Sequence, residues 1–221
     1  MSPASRLKRF FVLALIGTLI GAVIGLVSGV YTFRDDVNEM AGVAPKTTSV
    51  PLAASGLDAK FALVDQDGFY RTQDEYADKY KLVYFGFTYC PAICPTELSK
   101  MAEAYLALSP DMQKNLQPIF ITVDPERDTP EVMKGYVSLF MPQLVGLTGS
   151  LEQIEDAKKS FKVYAAKVPD EADPETYTMD HTSLIYFLSP ENVPLAFFKT
   201  ADSSEVLTQR IFSVMSKNQD K

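Results

Sequence analysis

The sequence predicts an α/β fold, a central sheet flanked by helices, preceded by one N-terminal transmembrane helix. Three observations predict it. Residues 10–33 carry no charge and are mostly apolar. From about residue 57 onward, apolar runs of strand length alternate with stretches of helical spacing. The chain then closes on a hairpin signal and a last helical stretch, and this alternation stacks helices on a sheet.

The span comes first. At about 1.5 Å per residue, residues 10–33 are long enough to cross a hydrocarbon core of about 30 Å. Arg6, Lys8 and Arg9 precede the run; Asp35, Asp36 and Glu39 follow it, with Arg34 alone against the trend. The positive-inside rule leaves the N-terminus in the cytoplasm and the domain outside. The run is too long for a signal-peptide apolar region and lacks a small-residue cleavage site, so the anchor stays attached. Residues 1–9 are then a cytoplasmic N-terminus, 10–33 the membrane helix, 34–56 a linker rich in Ala, Pro, Thr and Ser, and 57–221 the domain. Nine residues before the span are too few for an Arg-rich presequence. That favours a single-pass protein of a bacterial inner membrane with a periplasmic domain over a mitochondrial inner membrane facing the intermembrane space. Gly17, Gly21, Gly25 and Gly29 recur every fourth residue and form a stripe on which a second helix, its own copy or a partner, can pack closely.

In the domain, residues 61–65 and the next short run flank Gln66-Asp67-Gly68, a hairpin signal. Residues 81–87 read as a buried strand. Residues 95–108 show helical spacing through Leu98, Met101, Tyr105 and Leu108, and 118–123 are the next strand. Thr129-Pro130-Glu131 starts a helix as an N-cap followed by proline. Ser150 to Gln153 has the capping-box form, for a helix ending near Phe161. Residues 161–168 are a strand candidate, 183–188 and 195–198 are strands around a turn at 189–192, and 203–215 are the last helix. At 221 residues the chain can bury a core without staples. Its net charge is −7, with no basic run past residue 10, which argues against a nucleic-acid binder.

The chain holds two cysteines and one histidine. Two cysteines are no disulfide framework and read instead as redox or metal groups. Cys90 and Cys94 lie in Cys90-Pro91-Ala92-Ile93-Cys94-Pro95 at the end of the 81–87 strand. Each precedes a proline, which disfavours the helical conformation, so 90–94 reads as a loop. Pro95 suits the first helical position, which makes Cys94 the N-cap and favours its thiolate. His181 precedes the strand at 183–188. Two thiolates and an imidazole suit copper, since sulfur selects Cu(I) and imidazole binds copper generally. A structural disulfide, or two inert buried thiols, remains the alternative; structural zinc would want four ligands. Asp180 reads either as an orienting partner of the site or as a solvated carboxylate. Met179 reads as a soft ligand or as core packing. Asp124 and Arg127 read as a local turn pair rather than as groups that tune the site.

These residues resemble the Sco/SenC family of copper metallochaperones, which serve cytochrome c oxidase assembly. Gly86-Phe87-Thr88 leads into the Cys-Pro-x-x-Cys-Pro segment. Residues 122–130, Gly146-Leu147-Thr148-Gly149 and Asp180-His181 resemble the family's further motifs. The resemblance covers about residues 57–216. It implies a thioredoxin-like fold with a mixed sheet, copper held as Cu(I) or Cu(II) by Cys90, Cys94 and His181, and the copper-bearing subunit of the oxidase, or another copper acceptor, as partner. Ala92 stands where relatives often carry Asp, and the stretch before Asp180 departs from the usual pattern. A second function uses the same residues: a membrane-anchored thiol–disulfide oxidoreductase, with Cys90 and Cys94 as the redox pair, reducing cysteines of a copper-site target. Three intervening residues instead of two, and a histidine where a thioredoxin-like reductase would carry a cis-proline, favour copper.

Overall fold

Residues Tyr80–Gly86 are buried along their whole length, because the strand they form is covered on both faces. In the computed structural model, which describes residues 56–169, 173 and 176–219, this is strand β3. The other strands are β1 (Ala62–Asp65), β2 (Tyr70–Thr72), β4 (Leu116–Thr122), β5 (Val145–Thr148), β6 (Ala165–Pro169), β7 (Tyr177–His181), β8 (Leu184–Leu188) and β9 (Pro194–Lys199). The helices are α1 (Ile93–Leu106), α2 (Pro110–Lys114), α3 (Pro130–Val137), α4 (Leu151–Phe161) and α5 (Ser204–Gln219). Seven strands form a mixed sheet in the order β2-β1-β5-β4-β3-β8-β9. β3, β4 and β5 are parallel, and the outer strands join antiparallel.

Successive side chains on a strand face opposite sides. Tyr84 meets Cys94 at the start of α1, and its neighbour Phe120 on β4 meets Tyr136 of α3. Phe85, one residue on, meets Phe161 of α4 at 5.1 Å. Helices therefore cover both faces. The expected helix starts at Thr129 and Ser150 are present, with Ser150 and Gln153 closing a capping box. β7 and the short elements β5 and α2 have no counterpart in the sequence reading. The 161–168 candidate is a strand that starts later: α4 runs to Phe161 and β6 covers Ala165–Pro169, and among the described residues it pairs only with β7, in a two-stranded sheet apart from the main one. The apolar run 10–33, its glycine stripe and the linker up to residue 55 lie outside the described residues. Among the described residues, no helix is long and apolar enough to cross a membrane.

Candidate metal centre

β3 and β4 run in register to their carboxyl ends, Gly86 opposite Thr122. Ligand sites of parallel sheets lie beyond such ends, and the cysteine segment begins there. Cys90 N–H donates to the Phe87 carbonyl at 3.2 Å, turning the chain toward α1. The helix starts earlier than expected, at Ile93 with Ala92 as N-cap. Cys94 thus sits inside the first turn rather than capping it. Pro95 is tolerated because the first helical bond comes from Thr96 N–H to the Ala92 carbonyl, and a proline before that point gives up no intrahelical bond.

The capping sulfur is that of Cys90, which accepts from Cys94 N–H at 3.3 Å. Both cysteines are free; Cys90 is half-buried and Cys94 fully buried. The Cys94 thiol donates to Cys90, and backbone N–H groups add to it, holding the Cys90 thiol down at about 3. The same shared proton, together with burial, pushes the Cys94 thiol up. The thiolate therefore belongs to Cys90, not to Cys94 as the N-cap argument predicted.

His181 arrives from the other side, at the end of β7, with Nε2 at 3.6 Å from the Cys94 sulfur. Its Nδ1 lies 3.1 Å from the Thr182 carbonyl. A carbonyl only accepts, so Nδ1 carries the hydrogen and Nε2 turns its lone pair toward the sulfur, the tautomer a metal ligand needs. Asp180 is not the orienting group: it is exposed and alternates onto the opposite face of β7 from His181. Met179 is half-buried and packs against the core. The three donors are neighbours but not a preset cage; no group of three His, Cys, Asp or Glu among the described residues is arranged to hold an ion. Metal binding needs both sulfurs as thiolates, so the Cys94 proton must leave before a metal enters.

Several residues that fix this geometry were not read from the sequence. Tyr84 O–H donates to the Cys94 sulfur at 3.8 Å. Phe87 stands edge-on to the His181 ring at 5.8 Å. Gly86 has no space beside it: a Cβ there would lie 2.8 Å from the Cys94 sulfur. A glycine ending a strand is the sequence signal for such a close approach. Asp128, fully buried, accepts from Thr88 N–H, Thr88 Oγ1 and Thr122 Oγ1, and so ties the start of the cysteine loop to the end of β4. Nothing in its spacing announced that. Asp124 and Arg127 form the local pair expected of them.

A mixed sheet with helices on both faces, and a dithiol–imidazole cluster at the carboxyl ends of its parallel strands, defines a thioredoxin-like domain with a soft-ligand site. The chain belongs to the SCO1/SenC family, whose profile matches residues 50–216. It is 38% identical over 205 residues to the mitochondrial SCO2 homolog of Bos taurus, covering 92% of this chain and 73% of that protein. The crystal structure of Arabidopsis thaliana ScoI with copper bound is similar at a TM-score of 0.68 and 36% identity, over 73% of this chain and 99% of that one. Bradyrhizobium japonicum ScoI with copper bound is similar at a TM-score of 0.65 and 38% identity, over 71% of this chain and 98% of that one.

Proposed function

We propose that this protein is a membrane-anchored copper chaperone that binds copper through Cys90, Cys94 and His181 and delivers it to cytochrome c oxidase during assembly. The observation that carries the reading is the convergence of two sulfurs and a correctly oriented imidazole nitrogen from segments 87 positions apart. The copper bound in similar family members supports it. In this reading residues 10–33 hold the domain at the outer face of a bacterial inner membrane. Tethering raises the local concentration of donor near acceptor, so transfer does not depend on tight docking. Cu(I) displaces the shared thiol proton and leaves by stepwise exchange with an acceptor's own thiolates. The test is titration of the reduced protein with copper and metal analysis. One copper per chain is expected, and equal uptake by the Cys90→Ser, Cys94→Ser double variant would defeat the reading.

One observation favours a second reading. A half-exposed thiolate at Cys90 backed by a buried thiol at Cys94 is the asymmetry of a thiol–disulfide oxidoreductase, in which the first sulfur attacks and the second resolves. Its target would be the cysteines of a copper site. Insulin reduction run beside the copper titration separates the two. Rapid turnover without copper uptake selects the oxidoreductase; copper uptake with slow turnover selects the chaperone.

A further inference from the structure

His181 is carried on a hairpin that the main sheet does not hold. Among the described residues, β7 pairs with β6 alone. On its carboxyl side the histidine is three residues from β8, which is anchored in the sheet against β3. On its amino side β6 leaves α4 through residues 162–164, and Tyr164 and Thr182 bond to each other across the base of the two strands, so they can lift only about residues 162–164 and 182–183 together. Ala165 and Met179 rest on the core, and the polar hold on β7 comes from the turn after β4.

Arg127 is the centre of that hold. Its Nε donates to Asp124 at 2.5 Å, and its Nη1 donates to the Tyr177 carbonyl at 2.9 Å. Tyr177 opens β7, four residues before His181, and returns a bond of its own: its hydroxyl donates to Asp124 at 2.9 Å. The guanidinium lies over the Tyr177 ring at 3.8 Å and over the ring of Tyr89 at 4.8 Å. Tyr89 directly precedes Cys90. A weaker contact reaches Phe87 at 5.9 Å, the same ring that stands edge-on to His181. One planar cation thus touches the strand that bears the histidine and the loop that bears the cysteine, from a base fixed by the buried Asp124. Only a planar, forked donor can stack on two rings and bond on its edge at once. Its remaining nitrogen, Nη2, is buried without a partner, a cost that stability alone does not explain. Lys167 of β6 also meets Glu126 of the same turn, but both are half-exposed, and such pairs contribute little.

We propose that Arg127, backed by Asp124, is a positioning residue of the metal centre: it latches the His181 hairpin to the Cys90 loop and sets whether copper meets two donors or three. This rests on the copper reading above. With the latch closed, Nε2 stays beside the Cys94 sulfur. With it open, the two strands swing on residues 162–164 and 182–183, and the two sulfurs that remain hold Cu(I) but hold Cu(II) poorly.

The experiment uses the full chain in detergent micelles and has a metal-free arm. The protein has one histidine, so its imidazole resonances assign themselves. In Arg127→Gln we expect those resonances to shift and amide exchange to quicken across 177–181, with β3 and β4 unchanged. In the copper arm, Cu(II) affinity should fall about 10- to 100-fold, the cost typical of losing a group that orients a ligand, while Cu(I) affinity moves little. Arg127→Lys, which keeps the charge but not the fork, should fall between. Tyr177→Phe, which removes only the hydroxyl bond to Asp124, should shift the same resonances less and tests the latch even if the arginine variants do not fold. Unchanged histidine resonances and unchanged Cu(II) affinity across these variants would overturn the proposal. So would equal loss of Cu(I) and Cu(II) with faster exchange in β3 and β4, which would make Arg127 a residue of the fold. Failure of the wild type to bind copper would sink the chaperone reading instead, and the histidine resonances would still decide the latch.

Discussion

The Cys94 sulfur lies 3.6 Å from Nε2 of His181 while its hydrogen is shared with Cys90. A buried thiol placed between a thiolate and an imidazole has two acceptors for one proton. The cluster therefore holds one proton and one negative charge on two sulfurs near neutral pH, and the charge sits on the more accessible of them. This division of labour governs how the site reacts.

Cys90 should react as a thiolate well below neutrality. Its pKa is held far under the ordinary thiol value by the Cys94 hydrogen bond. Iodoacetamide labelling followed by mass spectrometry should give Cys90 rates that are nearly flat from pH 6 to 8, with Cys94 unlabelled in the native protein. An ordinary thiol would instead slow about tenfold for each pH unit lost. A Cys90 rate with that slope would refute the shared-proton arrangement.

Gly86→Ala should damage the site through space alone. The new methyl group would meet the Cys94 sulfur at 2.8 Å, Phe120 Cε2 at 2.9 Å and Tyr84 Cε1 at 3.1 Å. None of these groups can retreat, since all three residues are fully buried. Overpacking of this kind costs about 1–3 kcal/mol. Urea unfolding should show that loss, and the displaced sulfur should weaken metal binding beyond it. A variant of wild-type stability would show that α1 can shift away from β3.

The sequence was most legible where one local rule acts alone. Ser150 and Gln153 close a capping box whatever else surrounds them, and the run at 81–87 can only be buried. The three candidate ligands, Cys90, Cys94 and His181, stood out because soft ligands are so scarce in the chain. The reading failed where two rules compete. Proline after Cys94 argued for a loop, yet a helix start needs no N–H at that position, so α1 begins at Ile93 and the thiolate moves to Cys90. β7 was missed because its alternation of Tyr177, Met179 and His181 with Thr178 and Asp180 spans only five residues and follows the polar run 170–176. The roles of Asp128 and Arg127 were illegible for a deeper reason. They depend on partners 40 and 50 positions away, and no local pattern encodes those.

Lys81 predicts a rise of stability in alkali. It is fully buried on β3, donates to the carbonyls of Ser189 and Pro190, and is held down at about 8 by desolvation. The folded state therefore gives up this proton near pH 8, and the unfolded chain only near 10.5. Between the two the unfolded state binds more protons, so this contribution to stability grows as pH rises and is lost as pH falls through 8. The full span is worth up to about 3 kcal/mol. Lys81→Met should abolish this slope in urea unfolding between pH 8 and 10, whatever its effect on absolute stability. A variant with the wild-type slope would remove Lys81 as its source.

His181→Ala separates the functions that the two cysteines alone leave open. It removes the nitrogen beside the Cys94 sulfur and leaves both sulfurs in place. Loss of a direct donor exceeds what losing an orienting neighbour costs, so Cu(II) affinity should fall more than about 100-fold. Cu(I), which two thiolates satisfy, should change far less. Thiol exchange with a model disulfide should keep most of its rate, because the Cys94 thiol and backbone N–H groups still stabilise Cys90. In a strain deleted for the gene, wild type should restore assembly of a copper-containing oxidase at low copper, and His181→Ala should do so only when copper is added. Copper supplementation then compensates for affinity, which no lost reductase activity would permit. Full rescue by His181→Ala at low copper, with unchanged Cu(II) binding, would take the histidine out of the site and leave the dithiol to act as a reductase.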